Sequence, residues 1–338
     1  MPFRVKAAEI LLRSLLIKND QNYLGEKMSY DPNTPSQPRS FLSRLILPAL
    51  ILLFGFFMYM SQTQENPVTG EKQHVAFSPD QEIRLGLESA PQMSREMGGE
   101  LPASDPRVKE VQKMGALLVN DTKARKSPWK FEFHVLADKD TVNAFALPGG
   151  QIFITLGLLN RLQNEAQLAG VLSHEMGHVI ERHTAQQMSK SQLGQFFIVA
   201  IGAAASDPEG YGANNSAAMI AGMVNQMIQL RYSRGDESEA DVWGLKLMAQ
   251  AGYDPYEMIK VMEILKAATG DKGQGPSFFQ THPNPDLRIE EIKAYLKEHP
   301  QSLNLQKGRS LREVFQSAPA ASESQERSWT DILQSLPY

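Results

Sequence analysis

The 338-residue chain contains no cysteine. That removes disulfide staples, thiolate ligands for a metal and a lipid-bearing N-terminal cysteine. The absence fits a protein of an oxidising envelope compartment. Excess charge of either sign is also missing, because 34 Lys and Arg against 38 Asp and Glu leave a net charge of −4. With no basic field, no nucleic-acid partner is expected. No repeat of twenty to fifty residues runs through the chain, which excludes a solenoid. Long apolar runs are scarce. Leu45 to Met60 is one, whereas Phe196–Ala205 and Ala217–Val224 are too short to cross a bilayer. A multi-span membrane protein is excluded. A hydrophobic content of 42% is nevertheless enough for a real core.

What the chain does have is His174-Glu175-Met176-Gly177-His178. Residues i and i+4 of a helix share a face, so both imidazoles can reach one metal ion, with Glu175 beside it. Two ligands and a general base for water activation form the zincin signature. The surrounding sequence predicts the helix. Asn164 is an N-cap, Glu165 sits in the first turn, and no proline follows until after Ser191. Leu168, Val171, Leu172, Met176 and Val179 make an amphipathic stripe.

A catalytic zinc takes three protein ligands. The pattern with a third histidine fails, because its glycine position holds Glu181, its histidine position holds Thr184, and His183 is off by one. The other solution is a glutamate from a following helix. Asp236 reads as the N-cap of a helix running to about Gly252. On it Glu237 and Asp241 share a face. Glu237 is assigned as third ligand, and Asp241 as acceptor of the outer N–H of a ligating histidine. Glu239 points roughly 160° away and is the weaker candidate.

These motifs, with Asn143-Ala144-Phe145-Ala146-Leu147-Pro148-Gly149-Gly150 and Thr281-His282-Pro283, resemble the metallopeptidase family of the CAAX prenyl endoprotease. The similarity runs over roughly residues 65–300 and is nearest to bacterial periplasmic members and their mitochondrial inner-membrane relatives. It implies an α+β, mostly helical gluzincin-type zincin domain with a small β-sheet. It also implies one Zn2+ per chain, held by His174, His178 and Glu237 with Glu175 as base, and action on unfolded or misassembled proteins. His282 and Arg288 become candidates for stabilising transition-state charge, or His282 for a removable fourth ligand. An exposed strand around Asn143 and Phe145, with the turn at Gly149 and Gly150, becomes a candidate for binding extended peptide. The remaining histidines, His74, His134, His183 and His299, read as structural or exposed. A rival from another class is a membrane-tethered chaperone or binding module whose zinc is structural or latched.

The organisation follows from composition. Arg39 and Arg44 precede the apolar run and Gln62, Gln64 and Glu65 follow it. The positive-inside rule then puts residues 1–40 in the cytoplasm, an uncleaved anchor at 41–60 in a bacterial inner membrane, and the catalytic part in the periplasm. A cleaved signal is the alternative, but Phe57-Met58-Tyr59-Met60 offers no small-residue cleavage site. Met28 opens a more ordinary signal-anchor start than Met1. Glu9, Asp20 and Glu26 argue against a mitochondrial presequence. Residues 61–77 read as a polar linker, 78–300 as the peptidase domain and 301–338 as a flexible tail with a short amphipathic end. Lys130–Leu136, Thr141–Leu147 and Gln151–Thr155 read as strands. Ser78 and Asp105 open helices, Asn284 and Pro285 open another, and residues 196–224 read as a helical hairpin.

Overall fold

The computed structural model describes residues 41–192, 222, 225–227, 229–268, 277–300 and 305–317. The readings made for residues 1–40, for most of the 196–224 hairpin and for the amphipathic end beyond residue 317 lie outside these residues. The chain divides into two compact units, residues 1–45 and 46–338, and the site lies in the second.

Helix α1 spans Phe41–Ser61. Its side chains are described from Ile46 on, and Leu47, Leu50, Phe54 and Phe57 are exposed. That described stretch is shorter than a bilayer span, and among the described residues no helix is long and apolar enough to cross a membrane. The expected anchor is therefore present as a helix and not as a demonstrated span.

The stretch expected as a linker is a hairpin. Strands β1 (Thr63–Glu65) and β2 (Lys72–His74) pair antiparallel, with Thr63 opposite His74. Asn66 and Gln73 are buried beneath it. Helix α2 (Pro79–Glu96) starts at a capping box of Ser78 and Gln81, as its sequence dictates. Helix α3 (Pro106–Asn120) is capped by Asp105 and buries Val108, Val111 and Leu118.

A three-stranded sheet follows, in the order β3 (Glu132–Leu136), β5 (Gln151–Thr155), β4 (Ala144–Ala146). Strand β5 runs parallel to β3 and antiparallel to β4. It is buried at every residue, whereas β4 is an edge. A short helix, α4 (Leu156–Leu159), leads toward α5 (Glu165–Ile180).

Helix α5 is the centre of the second unit's core. Asn164 caps it, accepting from Gln167 N at 2.9 Å. The expectation of an amphipathic stripe is corrected here, because every residue from Glu165 to Ile180 is buried. A helix enclosed on all sides carries no solvated face, so its polar residues must be spoken for locally. Helix α6 (Arg234–Gln250) packs along it. Its N-cap is Ser233, three residues before the expected Asp236, which instead completes a capping box from the third helical position. The two helices approach closely at glycines. A Cβ at Gly177 would lie 2.8 Å from the carbonyl oxygen of Ala240.

Helices α7 (Glu257–Ala267), α8 (Ser277–Thr281) and α9 (Pro285–Glu298) complete the domain. Pro285 is the first residue of α9, but Asn284 precedes it at φ 62° and makes no side-chain cap bond. The expected tail is partly structured. Residues 305–317 return to the core, where Leu311 of α10 (Leu311–Ser317) is fully buried.

Candidate metal centre

His174 and His178 project from the same face of α5, and their Nε2 atoms lie 3.1 Å apart. Glu237, in the first turn of α6, closes on both. Its carboxylate oxygens stand 3.7 Å from His174 Nε2 and 3.6 Å from His178 Nε2. His282, directly after α8, brings Nδ1 within 3.4 Å of His174 Nε2 and 3.0 Å of Glu237 Oε1. Ligand atoms from these four buried residues lie within 4.8 Å of one another.

The donor chemistry fits a divalent cation. Asp241 Oδ1 is 3.0 Å from His174 Nδ1, so that nitrogen carries the ring proton and Nε2 turns a lone pair toward the cluster. Three imidazoles and a carboxylate, all buried, match the donor types that zinc takes.

Glu175 is fully buried, and neither carboxylate oxygen has a hydrogen-bond partner. Oε1 stands 3.7 Å from His282 Nε2. Burial pushes its carboxyl above the ordinary range, against the opposing pull of His282 and His174. A buried carboxylate left without donors marks a site built for something other than stability.

Arg288, on α9, ties the carboxylates in place. Its Nε and Nη2 donate to Asp241 at 2.8 and 2.6 Å, and Nη1 lies 2.6 Å from Glu237 Oε2. Burial opposes ionisation of Asp241, but the guanidinium outweighs it and holds the carboxyl well below its usual value. Glu237 is lowered by the same balance of burial against Arg288 and His282. Burial works against a charged His282 too, yet Glu237 and Glu175 raise it. Burial, reinforced by the neighbouring imidazoles, depresses His178 strongly.

A cavity of about 390 Å³ opens beside the cluster. His282, Tyr232 and Thr184 line one side, Asn143, Phe145 and Leu147 another, and Met93, Met97, Met227 and Leu230 supply apolar wall. Glu96 and Asp138 are the acidic lining residues. The structure thus brings Asn143 and Phe145 to the cavity, and Asn143 Oδ1 is buried without a partner. Gly149 and Gly150 are not among the lining residues. A Cβ on Gly149 would meet the backbone of Ile83 in α2 at 2.4 Å, and one on Gly150 would meet Lys130 O at 2.8 Å. These glycines serve close backbone approach. Arg288 also stays out of the cavity lining, its guanidinium turned to the carboxylates.

Two residues at the site escape the sequence reading. Tyr232 stacks on His178 with ring centroids 3.9 Å apart, and its hydroxyl pairs with Thr184 at 2.9 Å. His183, set aside because its spacing misses a ligand position, is 1% exposed, with Nδ1 2.9 Å from His178 Nδ1. Arg182, at φ 61°, forms a turn after α5, and His183 follows it against His178. No sequence signal marks Arg182 as left-handed, so the placement of His183 could not be read from the chain. The other histidines sit apart: His74 stacks on Tyr59, His134 lies between Glu100 and Gln151, and His299 stacks on Tyr295.

Residues 105–296 match the model of Peptidase family M48. The chain belongs to that family. Peptidases of family M48 are zinc-dependent, which accords with the buried cluster of His174, His178 and Glu237 and supports a metalloprotease. Among curated relatives, the chain is 32% identical over 271 residues to the mitochondrial metalloendopeptidase OMA1 of Schizosaccharomyces pombe, covering 80% of this chain and 76% of that protein. It is 30% identical to the Saccharomyces cerevisiae protein of the same name, over 77% of this chain and 79% of that one. It is 30% identical over 207 residues to the beta-barrel assembly-enhancing protease of Escherichia coli, covering 59% of this chain and 41% of that protein.

Proposed function

We propose that this M48 peptidase is a membrane-anchored zinc endopeptidase that cleaves misfolded or misassembled envelope proteins. The observation that carries the reading is Glu175, a buried carboxylate with neither oxygen hydrogen-bonded, beside a four-donor cluster whose His282 lines a cavity large enough for a side chain. His174, His178 and Glu237 would hold the metal. When bound, zinc supplies Lewis-acid chemistry that acidifies a water and polarises a peptide carbonyl. Glu175 takes a proton from the attacking water and returns it to the leaving amine. Its raised affinity for protons suits that shuttle. Asp241 and Arg288 keep the imidazole of His174 and the carboxylate of Glu237 oriented. Edge strand β4 and the free Asn143 Oδ1 offer hydrogen bonds to an extended peptide whose side chain enters the apolar cavity.

The anchor is proposed from α1, whose exposed Leu47, Leu50, Phe54 and Phe57 ask for an apolar surround. With Arg39 and Arg44 inside, the peptidase faces the periplasm. Salt and carbonate washes should leave the full chain in the membrane fraction; release by carbonate would remove the anchor from this reading.

A second reading draws on His282. As a fourth donor it closes the cluster, which suits a chaperone or binding module with a latched metal. Digestion of casein by the purified full chain separates the two. The protease reading expects cleavage that a chelator abolishes and that Glu175→Gln lowers at least about 100-fold while zinc content stays at one per chain. A Glu175→Gln variant that cuts at the parental rate defeats it.

A further inference from the structure

The outer nitrogen of His174 is fixed by a carboxylate, Asp241, at 3.0 Å. His178 has no carboxylate there. Its Nδ1 faces His183 Nδ1 at 2.9 Å, and His183 Nε2 faces Glu239 Oε2 at 3.0 Å. His183 is buried, whereas the Glu239 side chain is 55% exposed. The chain of contacts therefore runs from the cluster to the surface.

Its hydrogen-bond direction is determined at the outer end. A carboxylate only accepts, so Glu239 takes the proton of His183 Nε2. A neutral imidazole with a proton on one nitrogen offers a lone pair on the other. His183 Nδ1 therefore accepts, and His178 Nδ1 donates to it. The remaining nitrogen, His178 Nε2, presents its lone pair to the cluster, 3.1 Å from His174 Nε2.

We propose that Glu239 and His183 are positioning residues for the metal centre, with the surface carboxylate setting, through the buried imidazole, which nitrogen of His178 faces the ion. This rests on the reading of the cluster as a zinc site. Outer partners of ligating histidines are worth about 10–100-fold in metal affinity. Reversing the chain's polarity is the sharpest perturbation. In Glu239→Lys an ammonium donor replaces the acceptor, the proton on His183 moves to Nδ1, and His178 is driven to carry its proton on Nε2, where the metal belongs.

The test measures zinc affinity of the purified full-length chain by chelator competition, beside the melting temperature of the metal-free protein. Glu239→Lys is expected to weaken zinc about 10-fold or more, and to do so equally at roughly 0.5 M salt, where a through-space charge effect is screened. His183→Leu should lose about 10–100-fold, and His183→Gln, whose side-chain carbonyl accepts from His178 Nδ1, should recover most of that loss at similar melting temperature. The inference is overturned if His183→Leu binds zinc as tightly as the parent, if His183→Gln is as weak as His183→Leu, or if the Glu239→Lys loss vanishes in salt. Should His183→Leu fail to fold, the exposed Glu239→Lys decides alone. A parental chain with no zinc affinity defeats the metal reading and this inference with it; a tight parent with equally tight variants defeats this inference only.

Discussion

Two buried arginines, Arg288 and Arg182, meet carboxylates in contrasting ways. Around the cluster, Arg288 touches two carboxylates and holds both in their charged form. Near the end of α5, Arg182 meets a single one: its Nε and Nη2 reach Glu82 Oε1 at 2.9 and 2.6 Å, with both residues about 1% exposed. There burial wins over the guanidinium and pushes the Glu82 carboxyl up to about 7 from 4.5. The native state thus holds a proton that the unfolded chain has released, and between those two values stability falls as pH rises. Glu82→Gln cannot titrate. Thermal melting from acid to neutral pH should show the parent losing on the order of 1–3 kcal/mol relative to Glu82→Gln across that window, then no further change. A difference independent of pH would contradict the assignment. At this scale the sequence was legible where a residue acts through its own helix: i, i+4 spacing pairs His174 with His178 and Glu237 with Asp241, and the structure brings the two pairs together. It was silent on His183, whose role depends on a left-handed turn at Arg182 and on a carboxylate 56 positions away.

Among the elements, the contact between α5 and α6 decides whether the ligands converge. Gly177 lets the helices touch, since any Cβ there would stand 2.8 Å from Ala240 O and 2.9 Å from Ala240 Cα. Backbone atoms cannot step aside as a flexible side chain does. Gly177→Ala should therefore part the helices, cost about 1–3 kcal/mol in melting and weaken zinc about 10-fold, because Glu237 and Asp241 ride on α6. Parental zinc affinity in this variant would show that the crossing has slack. The capping signals of α2, α3 and α5 were readable from local side chains. The start of α6 was misplaced by three residues because both Ser233 and Asp236 can cap, and the box they form together needs Ser233 outermost. Strands of three residues such as β1 and β2 carry too little alternation to separate them from polar loop, whereas β4 falls within the strand expected over 141–147.

For the molecule as a whole, the segments read as linker and tail prove to be the supports of α5. At its first turn, Glu165 N and Ala166 N donate to the carbonyls of Arg309 and Lys307, and Arg309 Nε donates to Glu165 at 2.8 Å. At its last turn, Asn66 Nδ2 donates to Ile180 O at 2.8 Å and Gln73 Nε2 to Glu181 O at 3.0 Å. No pattern within either segment announces these partners, which lie more than a hundred positions away. A chain ending at residue 300 should lose at least about 2 kcal/mol, from the Leu311 site alone, with a lower melting temperature as the readout.

The same arrangement bears on how the enzyme is switched off or broken. The rod that carries the two imidazoles is clasped at both tips by stretches of chain that flank it in the sequence. A nick in either stretch, sparing every residue of the cluster, would set the rod loose, so that integrity of these two flanking segments and the geometry of the candidate metal centre become a single property.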